Sequence, residues 1–145
     1  MMAQFVISVG VLIFIKLLFR PSYFDLSDIE KVTVGGSFKG KNFLNKMLDP
    51  PAEEVETREE ISVREEYDRV YLDVNDPVLK DTGKGKALKI VNSGGWKDTV
   101  MWSPWGNEGM GYKNFMCVES VAFNKVELVC YDEWSAGLRL VPTKL

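Results

Sequence analysis

Glu119 and Asp68 are the side chains of this sequence best placed to do acid–base chemistry. Glu119 interrupts the apolar stretch FMCVESVAF, and in a strand it would share a face with Cys117. A carboxylate there must either pair or face a cleft, since burial of an unpaired charge is costly. A cleft would raise its pKa towards the range that suits a general base. Asp68 stands in EYDRVYLDV, just before an apolar alternation.

The sequence contains no histidine, which removes several mechanisms at once. It can build no Ser-His-Asp or Cys-His unit and no HExxH zinc site. Cys117 and Cys130 are the only cysteines, too far apart for CxxC and too few for a zinc cage. Both stand in apolar, strand-like runs, so we expect two buried, reduced thiols and no metal site.

Charge and glycine spacing argue against two further classes of ligand. The net charge is −3 and the basic residues are mostly scattered singly, which does not favour nucleic acid. Residues 35–41 fit the start of the nucleotide-binding P-loop motif, G-x-x-x-x-G-K-[ST]. Asn42 stands at the last position, where Ser or Thr should reach Mg²⁺, and prolines follow before the helix that a P-loop needs can form. We interpret these glycines as a hairpin turn.

The elements that must position the carboxylates are predicted to be short strands. The chain has 145 residues, enough for one domain with a core. Apolar alternation recurs between turn residues, which predicts an antiparallel sandwich or barrel. One face of the last strand would hold Trp134, Ala136, Leu138 and Leu140. The segment NKMLDPPAEEVETREE is predicted to be a polar loop with solvated glutamates.

The first 20 residues form an apolar leader, and the body of the domain follows from residue 21 to residue 145. Lys16 is the only charged side chain among residues 1–19. Their β-branched and aromatic residues favour a buried strand. A membrane segment made of residues 1–19 is the alternative, but no positive residue precedes the apolar run.

Four tryptophans raise the question of sugar binding. They are Trp96, Trp102, Trp105 and Trp134, and MWSPWG presents two of them on either side of Pro104. Exposed aromatic faces can cover the apolar side of a sugar ring, whereas packing in the core or at sheet edges is the commoner role. Composition alone favours packing.

Several words of the sequence resemble the glucose-6-phosphate 1-epimerase family, also called hexose-6-phosphate mutarotases, and its apospory-associated protein C relatives. They are SYFDLSDIEKVTV, FLNKM, EEISVREEYDRVYLDV, DTVMWSPW, YKNFMCVES and DEWSAGLRLVP, in the family's order. They run from Ser22 to about Pro142 and cover only the C-terminal half of the family's length. The resemblance implies an all-β fold, a partial antiparallel β-sandwich of the galactose-mutarotase type.

The resemblance also implies a reaction and its site residues. The family interconverts the α and β anomers of a hexose 6-phosphate without a metal or organic cofactor. Glu119 would occupy the catalytic general-base position, and Asp68 the substrate-binding position that hydrogen-bonds sugar hydroxyls. The ligand would be a hexose 6-phosphate or a related sugar.

The chain departs from the family pattern where the general acid should stand. The family's acid is the histidine of an H-[ST]-YF word, which here reads PSYF, so Pro21 takes that position. Proline has neither a titratable group nor a backbone N–H donor. The family's phosphate-binding arginines belong mainly to the N-terminal half, which has no counterpart here.

From this departure we expect the chain to be a truncated, catalytically impaired relative of the family. The sequence leaves open whether the chain is an enzyme. The alternative is a non-catalytic carbohydrate-binding or interaction module. We expect a cytoplasmic location, with a plastid or a membrane anchor as alternatives.

Overall fold

The computed structural model describes residues 1–8, 13–15, 18–20, 22–124 and 126–145. Within them the regular structure consists of fifteen β-strands and three 3₁₀ turns, without an α-helix. The strands are β1 (Met2–Ser8), β2 (Ile13–Ile15), β3 (Leu18–Arg20), β4 (Tyr23–Asp25), β5 (Val32–Gly35), β6 (Asn42–Asn45), β7 (Ala52–Val55), β8 (Glu60–Ser62), β9 (Tyr67–Tyr71), β10 (Val78–Asp81), β11 (Lys86–Gly94), β12 (Asp98–Ser103), β13 (Phe115–Ala122), β14 (Val126–Leu128) and β15 (Glu133–Lys144). The 3₁₀ turns are Ile29–Lys31, Glu108–Met110 and Tyr112–Asn114.

The first sheet has six antiparallel strands in the order β1-β15-β11-β10-β5-β8. Its long central pair is β11 with β15, in register from Lys86 opposite Lys144 to Gly94 opposite Ala136. Alternate residues of β15 are buried or half-buried, as the period of two requires. The shared face predicted for this last strand is therefore confirmed.

The second sheet has the order β3-β13-β12-β9-β6-β7, and β4 also pairs with β13. Strand β12 lies at its centre, where Met101 stands opposite Val118 of β13 and Arg69 of β9. Met101 and Val118 are buried, so this face of the sheet points into the protein. Because side chains alternate along a strand, the residues between them point to the opposite face.

One hydrophobic core lies between the two sheets. Val34 and Leu79 of the first sheet belong to the same buried cluster as Met101, Met116 and Val118 of the second. Burial of these side chains is what holds two antiparallel sheets face to face. The expected all-β antiparallel sandwich is confirmed.

The described part of the leader contributes strands to these sheets. Strand β1 is the edge strand next to β15, in register from Met2 opposite Arg139 to Ser8 opposite Glu133. Strand β3 pairs with β13, and β2 pairs with β14 in a separate two-stranded sheet. Within the described ranges, no helix has the length and hydropathy needed to cross a membrane.

The acidic segment after β6 differs from its prediction. Strand β7 forms within it and pairs with β6. The residue directly after β7 is not solvated, because Glu56 is only 3% exposed. Its carboxylate accepts hydrogen bonds from the guanidinium of Arg58 at 2.8 Å and from the hydroxyl of Tyr71 at 2.8 Å. The prediction of solvated glutamates is therefore wrong for Glu56.

The glycine-rich residues 35–42 are not a hairpin turn. They carry the chain from β5 in the first sheet to β6 in the second, so the flanking strands do not pair with each other. Gly36 has φ +134°, and a Cβ there would lie 2.8 Å from the carbonyl oxygen of Asp76. The close approach of this backbone explains the glycine without a phosphate.

The two cysteines differ from each other in burial. Cys117 is buried, as expected, whereas Cys130 is exposed in the turn before β15. The expectation of two buried thiols is therefore wrong for Cys130, because its apolar run ends at Leu128 and the chain turns out to solvent.

Candidate functional site

The predicted site residues lie on the face of the second sheet that points away from the core. Strand register sets this placement: Trp102 of β12 stands between Asp68 of β9 and Cys117 of β13. One step along the same face, Val100 stands opposite Glu119. Directly paired residues of antiparallel strands project to the same side. We call this surface the site face.

Glu119 forms part of the wall of a cleft of about 270 Å³ on the site face. The other lining residues are Leu44, Lys46, Val70, Val100, Val121 and Phe123. The lining is mostly apolar, with Glu119 and Lys46 as its charged groups. A concave apolar surface with few polar groups is the usual form of a small-molecule site.

Lys46 and Asp68 form an ion pair beside this cleft. The ammonium of Lys46 lies 2.8 and 3.0 Å from the two carboxylate oxygens of Asp68. The pair follows from the backbone, because the amide of Lys46 donates to the carbonyl of Asp68 at 2.9 Å and so extends the β6–β9 ladder by one residue. The side chain of Asp68 is 25% exposed and can still accept a hydrogen bond from a ligand.

The surroundings of Glu119 raise the pKa of its carboxyl above the ordinary value. Burial is the largest cause, and the negative charge of Asp68 adds to it. The positive charge of Lys46 and a hydrogen bond from the thiol of Cys117 act in the opposite direction. A carboxylate with a raised pKa holds a proton more strongly, which is what a general base requires.

Cys117 lies on the same face as Glu119, as the strand pattern predicted. Burial raises the pKa of its thiol to about 12, so the thiol stays protonated at neutral pH. The side chain of Tyr23 in β4, opposite Cys117 in the ladder, also hydrogen-bonds the thiol. The thiol of Cys117 therefore contacts both the carboxyl of Glu119 and the exposed phenol of Tyr23.

Pro21, which the resemblance places at the general-acid position, lies outside the described residues. The neighbouring Ser22 is described, and its carbonyl accepts a hydrogen bond from the amide of Val118 at 3.1 Å. Among the described residues, no three side chains of His, Cys, Asp or Glu are grouped closely enough to hold a metal ion.

Sequence reasoning did not single out Lys46. The only local signal is the word FLNKM, which says nothing of the partner. Its ion pair depends on the register between β6 and β9, whose residues stand 22 positions apart at this contact. Long-range register of this kind cannot be read from one sequence.

The four tryptophans occupy three different surroundings. Trp96 is buried and packs edge-on against Trp134, with ring centroids 5.0 Å apart. Trp105 packs against the main core and contacts Tyr112. Trp102 alone of the four lies on the site face, partly exposed.

A larger cavity, of about 520 Å³, contains neither Glu119 nor Asp68. Asp98, one of its three acidic residues, accepts hydrogen bonds from the backbone amides of Asp73 and Phe123, both at 2.9 Å. Asp98 therefore fixes two loops, and we assign the cavity no ligand.

Comparisons with known proteins agree with the resemblance seen in the sequence. The chain is 29% identical over 128 residues to a protein of Cenchrus ciliaris described as "Putative glucose-6-phosphate 1-epimerase", covering 82% of this chain and 38% of that protein. No protein-family model matches the chain.

Solved structures share the fold over almost the whole chain. A structure described as a "putative mutarotase (YeaD)" from Salmonella typhimurium matches with a TM-score of 0.83 and 23% identity, over 99% of this chain and 50% of that one. A galactose mutarotase-like protein from Clostridium acetobutylicum matches with a TM-score of 0.75 and 14% identity, over 99% and 52%. The partial sandwich of the galactose-mutarotase type is thereby confirmed.

The chain thus spans 38% of the curated relative and about half of these structures. Sequence and fold agree that it is related to the glucose-6-phosphate 1-epimerase and galactose mutarotase-like family.

Proposed function

We propose that this chain binds a hexose 6-phosphate on the site face, with Glu119 as the general base of anomer interconversion and Asp68 as an acceptor for sugar hydroxyls. The supporting observation is the placement of Glu119 in the wall of an apolar cleft with its pKa raised. Asp68 lies on the same face of the sheet, on the strand at the other side of β12. The name of the Cenchrus ciliaris relative supplies the substrate class.

The proposed chemistry combines proton transfers with the reversible cleavage of one C–O bond of the sugar ring. Glu119 takes the proton from the C1 hydroxyl while the bond between C1 and the ring oxygen breaks, and the ring oxygen takes a proton from a water molecule. The open-chain aldehyde then rotates about the C1–C2 bond. When the C5 hydroxyl attacks the other face of C1, the aldehyde oxygen takes back the proton from Glu119 and the C5 hydroxyl releases its proton to water.

We further propose that catalysis by this chain alone is impaired. The ring oxygen needs a proton donor, and the sequence offers no histidine and has Pro21 at the family's acid position. Loss of a positioned general acid lowers a rate by roughly 10²–10⁴-fold. Binding does not require that acid, but the lack of the family's phosphate-binding arginines should weaken binding of the sugar phosphate further.

Two-dimensional exchange NMR on the anomers of glucose 6-phosphate tests this proposal. We expect catalysed exchange roughly 10²–10⁴-fold below that of a full-length relative. Glu119→Gln should remove the remaining catalysis, whereas Glu66→Gln, at an exposed position outside the cleft, should not change it. Turnover equal to that of the full-length relative contradicts impairment, and unaltered exchange in Glu119→Gln contradicts the base role.

The absence of histidine also supports a second candidate, a carbohydrate-binding protein without catalysis. Calorimetric titration with glucose 6-phosphate separates the two. Binding that Asp68→Asn weakens, together with no catalysed exchange, favours the second candidate. Absence of binding contradicts both.

A further inference from the structure

Strand β1 forms one edge of the first sheet, and no other described strand pairs with its free side. Its register with β15 runs from Met2 to Ser8 without a bulge. At the start of this ladder the amide of Leu140 donates to the carbonyl of Met1 at 3.0 Å. Hydrogen-bonded pairs alternate along an antiparallel ladder, so every second residue after Met1 is bonded to β15. The backbone groups that point away from β15 belong to Met2, Gln4, Val6 and Ser8.

The other edges of the two large sheets carry charges that β1 lacks. Strand β7 has two glutamates, and β8 has Glu60. The edge formed by β3 and β4 has Arg20 and Asp25. Residues 2–8, MAQFVIS, contain neither a charged side chain nor a proline. Charges and prolines on an edge strand oppose pairing with another chain, so β1 is the edge of these two sheets that lacks such protection.

Strand β1 can pair with the same strand of a second copy in a symmetric antiparallel register. When Phe5 stands opposite Phe5 of the second copy, Gln4 stands opposite Val6, and Met2 stands opposite Ser8. The outward backbone groups then meet in hydrogen-bonded pairs, each of which exchanges two hydrogen bonds. Because residues 2–8 are uncharged, this pairing brings no like-charged side chains together.

The ring of Phe5 favours this register over its alternatives. It packs edge-on against Trp96, with centroids 5.7 Å apart, on the smaller core cluster. In the symmetric register the two Phe5 residues form a pair without hydrogen bonds, the kind that brings side chains closest together. Aromatic cross-strand pairs stabilise a sheet, so the smaller core cluster of each copy would continue into the other. On the opposite face Met2 is 76% exposed and Val6 is 53% exposed.

We propose that two copies of this chain associate through β1, antiparallel about a two-fold axis at Phe5, and join their first sheets into one continuous sheet. The occupant of this edge is a second copy because β1 itself supplies the uncharged, alternating strand that the edge requires. A symmetric contact of this kind occupies the edge of both copies, so association stops at a dimer. The inference concerns the first sheet and is independent of the function proposed for the site face.

Sedimentation velocity of the full chain over a range of concentrations measures this association. The decisive variant is Gln4→Pro, because proline lacks the N–H that Gln4 directs towards the second copy. The ladder with β15 does not use that N–H, and prolines are tolerated on edge strands in this position. We expect Gln4→Pro to weaken dimerisation about 10- to 100-fold. Gln4→Thr keeps the N–H, is the matched control and should leave dimerisation unchanged.

Val6→Lys is a second variant that leaves the backbone unaltered. In the symmetric register the two introduced lysines would be diagonal neighbours, about 7–8 Å apart. Their repulsion should weaken dimerisation at low salt and less at high salt. Amide hydrogen exchange locates the contact in the unmodified chain. The amide of Val6 should gain protection as the concentration rises, whereas the amide of Ile7, which faces β15, should be protected at every concentration.

The outcomes decide for or against the edge of β1. A dimer that Gln4→Pro and Val6→Lys weaken, with protection of the Val6 amide, supports the inference. A monomer at every concentration overturns it and leaves the edge to a strand of another protein. A dimer that neither variant weakens, or exchange at Val6 that does not change with concentration, overturns it too, and species larger than a dimer contradict the two-fold contact. If urea unfolding shows that Gln4→Pro has lost the fold, Val6→Lys and the exchange at Val6 decide.

Discussion

The buried carboxylate of Glu56 should control how the protein responds to acid. Glu56 is 3% exposed, and Arg58 donates to both of its oxygens, each at 2.8 Å. The hydroxyl of Tyr71 donates to it as well, and that hydroxyl lies 2.5 Å from the hydroxyl of Tyr67. Replacement of Glu56 by Gln keeps the shape but removes the charge that these donors surround.

The size of the effect follows from the pKa of Glu56. Burial acts to raise it, but the hydrogen bonds from Arg58 and Tyr71 and the charge of Arg58 lower it from 4.5 to about 2. At about 1.4 kcal/mol per pH unit, this corresponds to about 3 kcal/mol at neutral pH. The side chain of Arg58 is 40% exposed and therefore partly screened, so we expect about 2–3 kcal/mol.

The sign of the pH dependence is fixed by the same values. The folded pKa of Glu56 lies below the unfolded one, so the unfolded chain binds more protons between pH 4.5 and about 2. The stabilisation is therefore complete above pH 4.5 and is lost as the pH falls towards 2. Glu56→Gln should lower the free energy of unfolding by about 2–3 kcal/mol at pH 7 and much less near pH 2.

Urea unfolding followed by tryptophan fluorescence, at several pH values from 7 to 2.5, measures this difference. The matched control is Glu59→Gln, because Glu59 also pairs with a cation, Lys39, at 2.9 Å, but its side chain is 76% exposed. That variant should change stability little at any pH. A destabilisation of Glu56→Gln that is equal at pH 7 and pH 3 would refute the electrostatic reasoning and leave only altered packing.

Two further predictions concern the site face and the first sheet. Lys46→Met should raise the pKa of Glu119 further, because the nearby positive charge is lost. ¹³C NMR titration of the glutamate carboxyls measures this pKa, with Lys39→Met as the control variant. An unchanged or lower pKa of Glu119 in Lys46→Met contradicts the prediction. Gly94→Ala should destabilise the protein more than Gly85→Ala in urea unfolding. Both glycines have φ near +60°, which costs about 1–2 kcal/mol for alanine, but only at Gly94 would the Cβ meet a backbone oxygen, at 2.5 Å. Equal losses contradict the steric argument.

The features that could be predicted from the sequence depend on short-range periodicity. The strand period of two places Glu119 and Cys117 on one face whatever the rest of the fold does. The same rule predicts the buried face of β15. An antiparallel sandwich follows because many short amphipathic strands can bury their apolar sides only against another sheet.

The features that escaped prediction depend on which strands meet. The segment around Glu56 is acidic and contains two prolines, so its composition indicates a solvated loop. Beside the local Arg58, its carboxylate has a partner in Tyr71 of β9, whose approach depends on which strands meet. Likewise, a glycine turn between two paired strands and a glycine turn between two sheets have the same local sequence features. The turn of residues 35–42 is of the second kind.

The chemistry of the site face separates binding from catalysis. Glu119 has the raised pKa of a base, but a base alone does not open the sugar ring, because the ring oxygen must receive a proton. The thiol of Cys117 has its pKa raised to about 12, and the pKa of the Tyr23 phenol is raised by Cys117, burial and Glu119. Both are weak acids at neutral pH, and neither matches the task of an imidazolium. We therefore expect a lower kcat for glucose 6-phosphate than in relatives that carry the histidine at the acid position.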